Sequence, residues 1–262
     1  MTAPTSAPGA HLDLAGVPGI PFWRLFAVEL RKVLDTRANR WLLIVMLGLS
    51  AAILTVLATT APEEMRSFAA FSKVGFQPLT LLLPVLGILA MTSEWSHRSA
   101  LATFALEPRR IRVFLAKSIA TLMVSLVVAS VGMLMSVLAT AASSAMVPLP
   151  PNAWTLEAKP ILMSVALLEI YTLIGLALGL LLSSNALAIT IYYIAPMITL
   201  SLSMWEKARP VMEWVSQSVL TQPFEKAHFT AEQAQRSAVA ALVWIVIPFL
   251  VGAWLSYRRE VK

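Results

Sequence analysis

Cysteine is absent from the 262 residues, which removes disulfides, thiol nucleophiles and thiolate metal sites from consideration. Histidine is scarce: His11, His97 and His228 lie far apart, and none sits in a ligand spacing such as HExxH. No metal site is therefore expected. A GxxxxGK[ST] phosphate loop is also missing, so the chain is not expected to hydrolyse ATP itself. Charge is the most telling shortage. Asp, Glu, Lys and Arg make up 13% of the chain, against roughly 25% in soluble domains. What fills the space is apolar, at 58% hydrophobic residues and a mean hydropathy of +0.76. Lipid is the solvent such a chain suits.

Residues 1–20 are rich in Pro, Ala, Ser and Gly, with no basic start followed by an apolar core, and read as a flexible tail and not a cleaved signal peptide. Six stretches of about 20 residues with few or no charges then qualify as helical spans. They cover 41–60, 75–93, 118–146, 161–183, 186–205 and 237–257. The third exceeds what a bilayer needs, so it is expected to tilt or to project. "SSN" (Ser183–Asn185) leaves room only for a tight hairpin between spans four and five. Pro84, Pro196 and Pro248 fall within spans and are expected to kink them. The fold class is an all-α membrane protein, with a six-span domain over 41–257 and a short tail over 258–262.

The net charge of +6 does not require nucleic acid, because the cations have a topological pattern. With the N-terminus inside, the inner segments hold five, five, none and three Lys or Arg, and the outer ones two, one and four. Thirteen against seven puts both termini in the cytoplasm.

Residues 21–40 read as an amphipathic helix for the inner interface. Phe22, Phe26, Leu30, Val33 and Leu34 share one arc, and Arg24, Arg31, Lys32 and Asp35 the other. Glu29, at the edge of the apolar arc, should pair with a nearby Arg or Lys. The inner loop 93–117 breaks at Glu107-Pro108, since proline disfavours helix in the residue before it and suits the first turn of the next. One short helix over 96–106 would present Leu101 and Phe104. A second would start at 108, with Ile111, Phe114 and Leu115 on one face and Arg109, Arg110, Arg112 and Lys117 on the other.

These stretches resemble the membrane subunit of type 2 ATP-binding-cassette exporters. The shared elements are E-L-R-K…T-R in the N-terminal helix (Glu29–Lys32, Thr36, Arg37) and E…R-S…T…L-x-P-x-R…K in the loop (Glu94, Arg98, Ser99, Thr103, Leu106, Pro108, Arg110, Lys117). The family's Gly-Thr pair near the start of the loop is replaced here by Arg98-Ser99. The resemblance implies a coupling helix that docks on a separate ATPase, which binds ATP and Mg²⁺, with Ser99, Leu101, Thr103, Phe104, Leu106, Glu107, Pro108, Arg109 and Arg110 as the contact region. It further implies two ATPase copies, no cofactor on this chain, efflux and a bacterial plasma membrane. Six spans do not readily enclose a path alone, so a second membrane subunit, most simply an identical one in a homodimer, is expected. The lack of a charged cavity lining suggests an amphiphilic, lipid-like or drug-like cargo. The alternative is a membrane protein of another class, such as an ion-driven carrier or an immunity or anchor protein.

Within the spans, Glu169 is the one carboxylate. Left ionised at the bilayer centre it would cost about 2.5–3.5 kcal/mol, so it should face the protein interior or a water-filled path. Tyr192, Tyr193, a Ser or Thr, or a second subunit are its candidate partners, and together Glu169, Tyr192 and Tyr193 are candidates for a substrate path. Gly175 and Gly179 form a small-xxx-small pattern for close helix packing, and Ser125, Ser130, Gly132, Ser136 and Thr140 in span three serve the same purpose. In the outer segment 206–236, Val211, Trp214, Val215 and Val219 recur at helical spacing, with a break expected at Pro223; the resemblance implies a re-entrant cap there.

Overall fold

A computed structural model of the chain describes residues 20–96, 107, 109–226 and 229–258. Among these residues the regular structure is helical, without strands, and six helices are long and apolar enough to cross a membrane. Helix α1 (Phe22–Asp35) precedes the first span, α2 (Arg37–Thr60). The second span joins α3 (Phe68–Gly75) to α4 (Gln77–Ser96), and the third is α5 (Arg110–Met146). Spans four and five are α6 (Ala158–Leu182) and α7 (Asn185–Ser203). Two short helices follow, α8 (Arg209–Val215) and α9 (Gln217–Glu225). The last span runs from α10 (Ala231–Ala241) through a π-helical turn at Leu242–Val246 into α11 (Ile247–Arg258).

The apolar runs and the helices agree to within a few residues, except at the start of the sixth span, which begins at Ala231, six residues before its run, and in three other places. The second span starts seven residues earlier than its apolar run, because the Ser67 hydroxyl accepts from Ala70 N–H and caps α3, while Phe68 and Phe71 are buried. Span three starts at Arg110, eight residues early, and its 37 residues measure about 55 Å at 1.5 Å per residue. The chain also bends at Thr36, whose extended ψ of 127° separates α1 from α2. Arg37, assigned above to the interfacial helix, therefore opens the first span.

Two helices meet almost backbone to backbone at the centre. A Cβ on Gly175 would lie 2.1 Å from the Pro84 carbonyl oxygen, one on Gly179 3.0 Å from Ile88 Cα, and one on Gly87 2.7 Å from the Thr172 carbonyl oxygen. Glycine at these three sites lets α4 and α6 close to a distance that any side chain forbids. Around this crossing Leu79, Leu83, Leu86, Phe114, Leu168 and Leu176 form the main core, and Ile174, Tyr192, Leu220 and Trp244 a second one. The hairpin between α6 and α7 turns on Ser183 in the left-handed region (φ 53°).

The outer segment departs from the expected pattern. Val211 and Trp214 are exposed, and the buried face belongs instead to Ser216, Gln217, Leu220 and Thr221. Pro223 does not break the chain; α9 runs on to Glu225. The Val219 carbonyl that Pro223 cannot serve accepts from the Ser237 hydroxyl at 2.9 Å, so α10 replaces the hydrogen bond that the proline removes. The break falls at Ser216.

Candidate functional site

Four charges from three helices close into a ring at the foot of spans two and three. Lys32 Nζ lies 2.7 Å from Glu29 Oε1 and 3.2 Å from Glu94 Oε1. Lys117 Nζ lies 2.6 Å from Glu94 Oε2 and 3.0 Å from Glu29 Oε2. Each carboxylate thus offers one oxygen to each ammonium. The Glu29–Lys117 contact is an ion contact without hydrogen-bond alignment, and Lys117 also donates to Ser93 Oγ at 3.0 Å. Glu29, Glu94 and Lys117 have side chains only 1–3% exposed, whereas Lys32 remains 42% exposed.

The placement follows from helical spacing. Leu25, Glu29 and Val33 recur every four residues on the buried stripe of α1, and Leu25 packs on Val113 and Ala116 of α5. That register brings Glu29 against Lys117, one residue along from Ala116. The apolar arc read from the sequence is accordingly rotated: Phe22 and Leu34 are exposed, Phe26 is half-buried, Arg31 faces out and Lys32 turns inward. The same rotation overturns the face assigned to Lys117, which lies buried beside Phe114 while Ile111 and Leu115 are exposed. Two carboxylates are what permit an ammonium there. Burial works against the charged form of Lys32, but Glu94 and Glu29 outweigh it and hold its pKa above the ordinary 10.5. Beside the ring lies a cavity of about 210 Å³ bordered by Thr36, Asn39 and Ala90.

The flank of the loop is tied down as well. Glu107 Oε2 accepts from Arg112 at 2.7 Å, and its Oε1 from Arg109 N–H at 3.3 Å. Arg112 also donates to the Ile20 carbonyl at 2.8 Å. Arg110 donates to the Ser256 carbonyl, and Ile111 N–H meets the Tyr257 hydroxyl at 3.4 Å. Glu107, read from the sequence as a partner contact, is therefore a buried residue held by Arg112, and Arg110 is turned onto the last helix. Arg109 is exposed. Ser99, Leu101, Thr103, Phe104, Leu106 and Pro108 lie outside the described residues.

No protein-family model matches the chain, and no curated protein matches it either. The site must speak for itself.

Glu169 and the tyrosines part company. Ser125 of α5 meets both oxygens of the Glu169 carboxyl group, at 2.6 and 2.7 Å, so a serine is its partner and neither tyrosine is. Tyr192 and Tyr193 pack edge to face at 4.9 Å and line a larger cavity of about 1050 Å³ at the other end of the molecule. Apolar runs and loop cations miss the ring altogether. Its members are separated by up to 88 positions, and Lys117 looks like one more loop cation. The one available signal was Glu29, a carboxylate on a stripe that should be apolar.

Proposed function

We propose that the chain is the membrane subunit of an ATP-driven exporter of the type 2 ATP-binding-cassette kind, set in a bacterial plasma membrane beside a cytosolic ATPase that carries ATP and Mg²⁺. The charge ring carries this reading. It ties α1 to the last turns of α4 and the first turns of α5, the two helices that flank residues 97–109. A push on that loop is then delivered to three helices at once. Pulling one member out would strand a buried charge, at a cost on the order of 3–5 kcal/mol, so the foot of the molecule moves as a block.

In this reading the loop and both termini face the cytoplasm, and Leu101, Phe104 and Arg109 meet the ATPase. Glu107 and Arg110 serve the base of the loop. Helix α1 lies along the inner interface with Phe22, Trp23 and Val28 toward lipid, and a second copy of the chain completes the path for an amphiphilic cargo. Co-purification from the native membrane tests this: an ATPase chain should accompany the protein and be lost when Leu101–Phe104 is replaced by Gly and Ser. An ATPase that stays bound after the replacement overturns the docking assignment. Recovery of the intact protein with no ATPase overturns the exporter reading.

A further inference from the structure

The cavity of about 1050 Å³ opens beside α3 and the first turns of α4, at the opposite end of those helices from the charge ring. It is of the size of small-molecule sites, roughly 300–1,000 Å³. Phe76, Leu81, Met133 and Leu167 supply apolar wall, and Tyr171, Tyr192 and Tyr193 supply rings. Four charged residues border it, Lys73, Glu157, Glu225 and Lys226; all four are exposed, and their charges cancel. Among the described residues, therefore, none places a formal charge in the interior.

The tyrosine hydroxyls at the edges are engaged: Tyr193 donates to the Leu81 carbonyl at 2.6 Å, and Tyr171 lies 3.4 Å from Glu225 Oε1. Gln217 is different. It is 5% exposed, and its carboxamide interacts with Tyr192, yet its Oε1 accepts no hydrogen bond among the described residues. Buried acceptors in folded proteins almost always have a donor, and one without invites an explanation.

We propose that this cavity binds a neutral amphiphile whose polar end, a hydroxyl or amide N–H, donates a hydrogen bond to Gln217 Oε1. An ion would give up its hydration for a space with no counter-charge. A plain hydrocarbon would fill the wall but leave Gln217 unmet. A molecule with an apolar body and one donor satisfies both. As a binding site this stands apart from the exporter reading; only the step from ligand to cargo rests on it.

The test uses full-length protein in lipid nanodiscs and a diazirine-bearing hexadecanol, compared with its methyl ether, the matching carboxylic acid and the trimethylammonium analogue. Labelled peptides are identified by mass spectrometry. The alcohol should label 67–81 and 160–171 saturably, in competition with plain hexadecanol. The ether, which keeps the chain and loses the donor, should label about threefold to tenfold less, the range for one hydrogen bond. Gln217→Leu should remove the difference between alcohol and ether. The wild-type comparison stands even if that variant fails to fold. Equal labelling by alcohol and ether overturns the proposal, as does strongest labelling by either charged analogue or labelling of the lipid-facing side of α2 to the same extent. A cysteine at 217 that crosslinks to a second copy of the chain would assign the space to a subunit contact and also overturn it. No ATPase is present in this assay, so its failure leaves the docking experiment untouched, and the reverse holds too.

Discussion

The two ends of the helix bundle solve opposite problems with polar groups. At one end two carboxylates and two ammoniums pair beside a space of about 210 Å³, which the buried Asn39 also borders with an Oδ1 that accepts no hydrogen bond among the described residues. At the other a cavity of about 1050 Å³ keeps its charges at the rim and leaves one buried acceptor unmet. A ring with its charges already paired suits mechanical linkage, whereas a roomy space whose charges stay at the rim suits a neutral guest. Burial alone does not demand a counter-charge: the ring balances its four charges, whereas the buried Arg66 is held by the Ala61 and Thr59 carbonyls and the Ser143 hydroxyl.

The contrast breaks most visibly at Lys117. Lys117→Met leaves Glu29 and Glu94 buried with half their partners, and should cost about 3–5 kcal/mol in the thermal unfolding of the purified protein. Replacing Glu29, Glu94 and Lys117 together by apolar residues should recover much of that loss. If Lys117→Met melted like wild type, the ring would not be a structural unit.

Between the two ends, Gly175→Ala drives a methyl into the Pro84 carbonyl and should lower stability by about 1–3 kcal/mol. Gly48→Ala, with nothing within 4 Å, is the matched control and should not destabilise. Equal melting of the two variants would contradict the close approach of α4 and α6. On the cavity side, Ser237→Ala strips the Val219 carbonyl of its donor and should cost about 1 kcal/mol. The loss should show as faster amide exchange in α9, leaving the ring unaffected.

The smallest effect belongs to Lys32. Its pKa is raised in the folded protein, so its contribution is fully present below 10.5, the ordinary value, and is lost only as pH rises through the folded value above that. Wild type and Lys32→Met should therefore differ in melting temperature below pH 10.5 and converge in the strongly alkaline range. A difference that persisted there would place the effect in packing instead of charge.

Much of the fold was legible in the chain, for a definite reason. A helix in lipid must be apolar along its length, so long runs with few charges mark spans directly. The Ser183–Asn185 hairpin reads out the same way. Side-chain partnerships were legible only when local. Glu29 and Lys32 sit three residues apart and could be paired on a wheel, but Glu94 and Lys117 joined them only once α4 and α5 had been set side by side. Helix α3 escaped notice because Lys73 interrupts its apolar run and its start depends on a single hydroxyl, that of Ser67. The face of α9 escaped for a related reason: Ser216, Gln217 and Thr221 are polar residues buried by their neighbours, the reverse of what hydropathy assumes.

One consequence of the third span concerns distance. From Arg110 to Met146 it contains no proline and runs as one helix. Lys117, in the charge ring, and Met133, in the cavity wall, are thus two marks on the same rod, about 24 Å apart at 1.5 Å per residue. A rod of about 55 Å that pivots at its middle by about 10° carries each tip through about 5 Å. Met133 lies five residues past the middle, about 7.5 Å from the pivot, so the swing at the foot reaches the chamber wall as a shift of about 1.3 Å without any local rearrangement beside Met133.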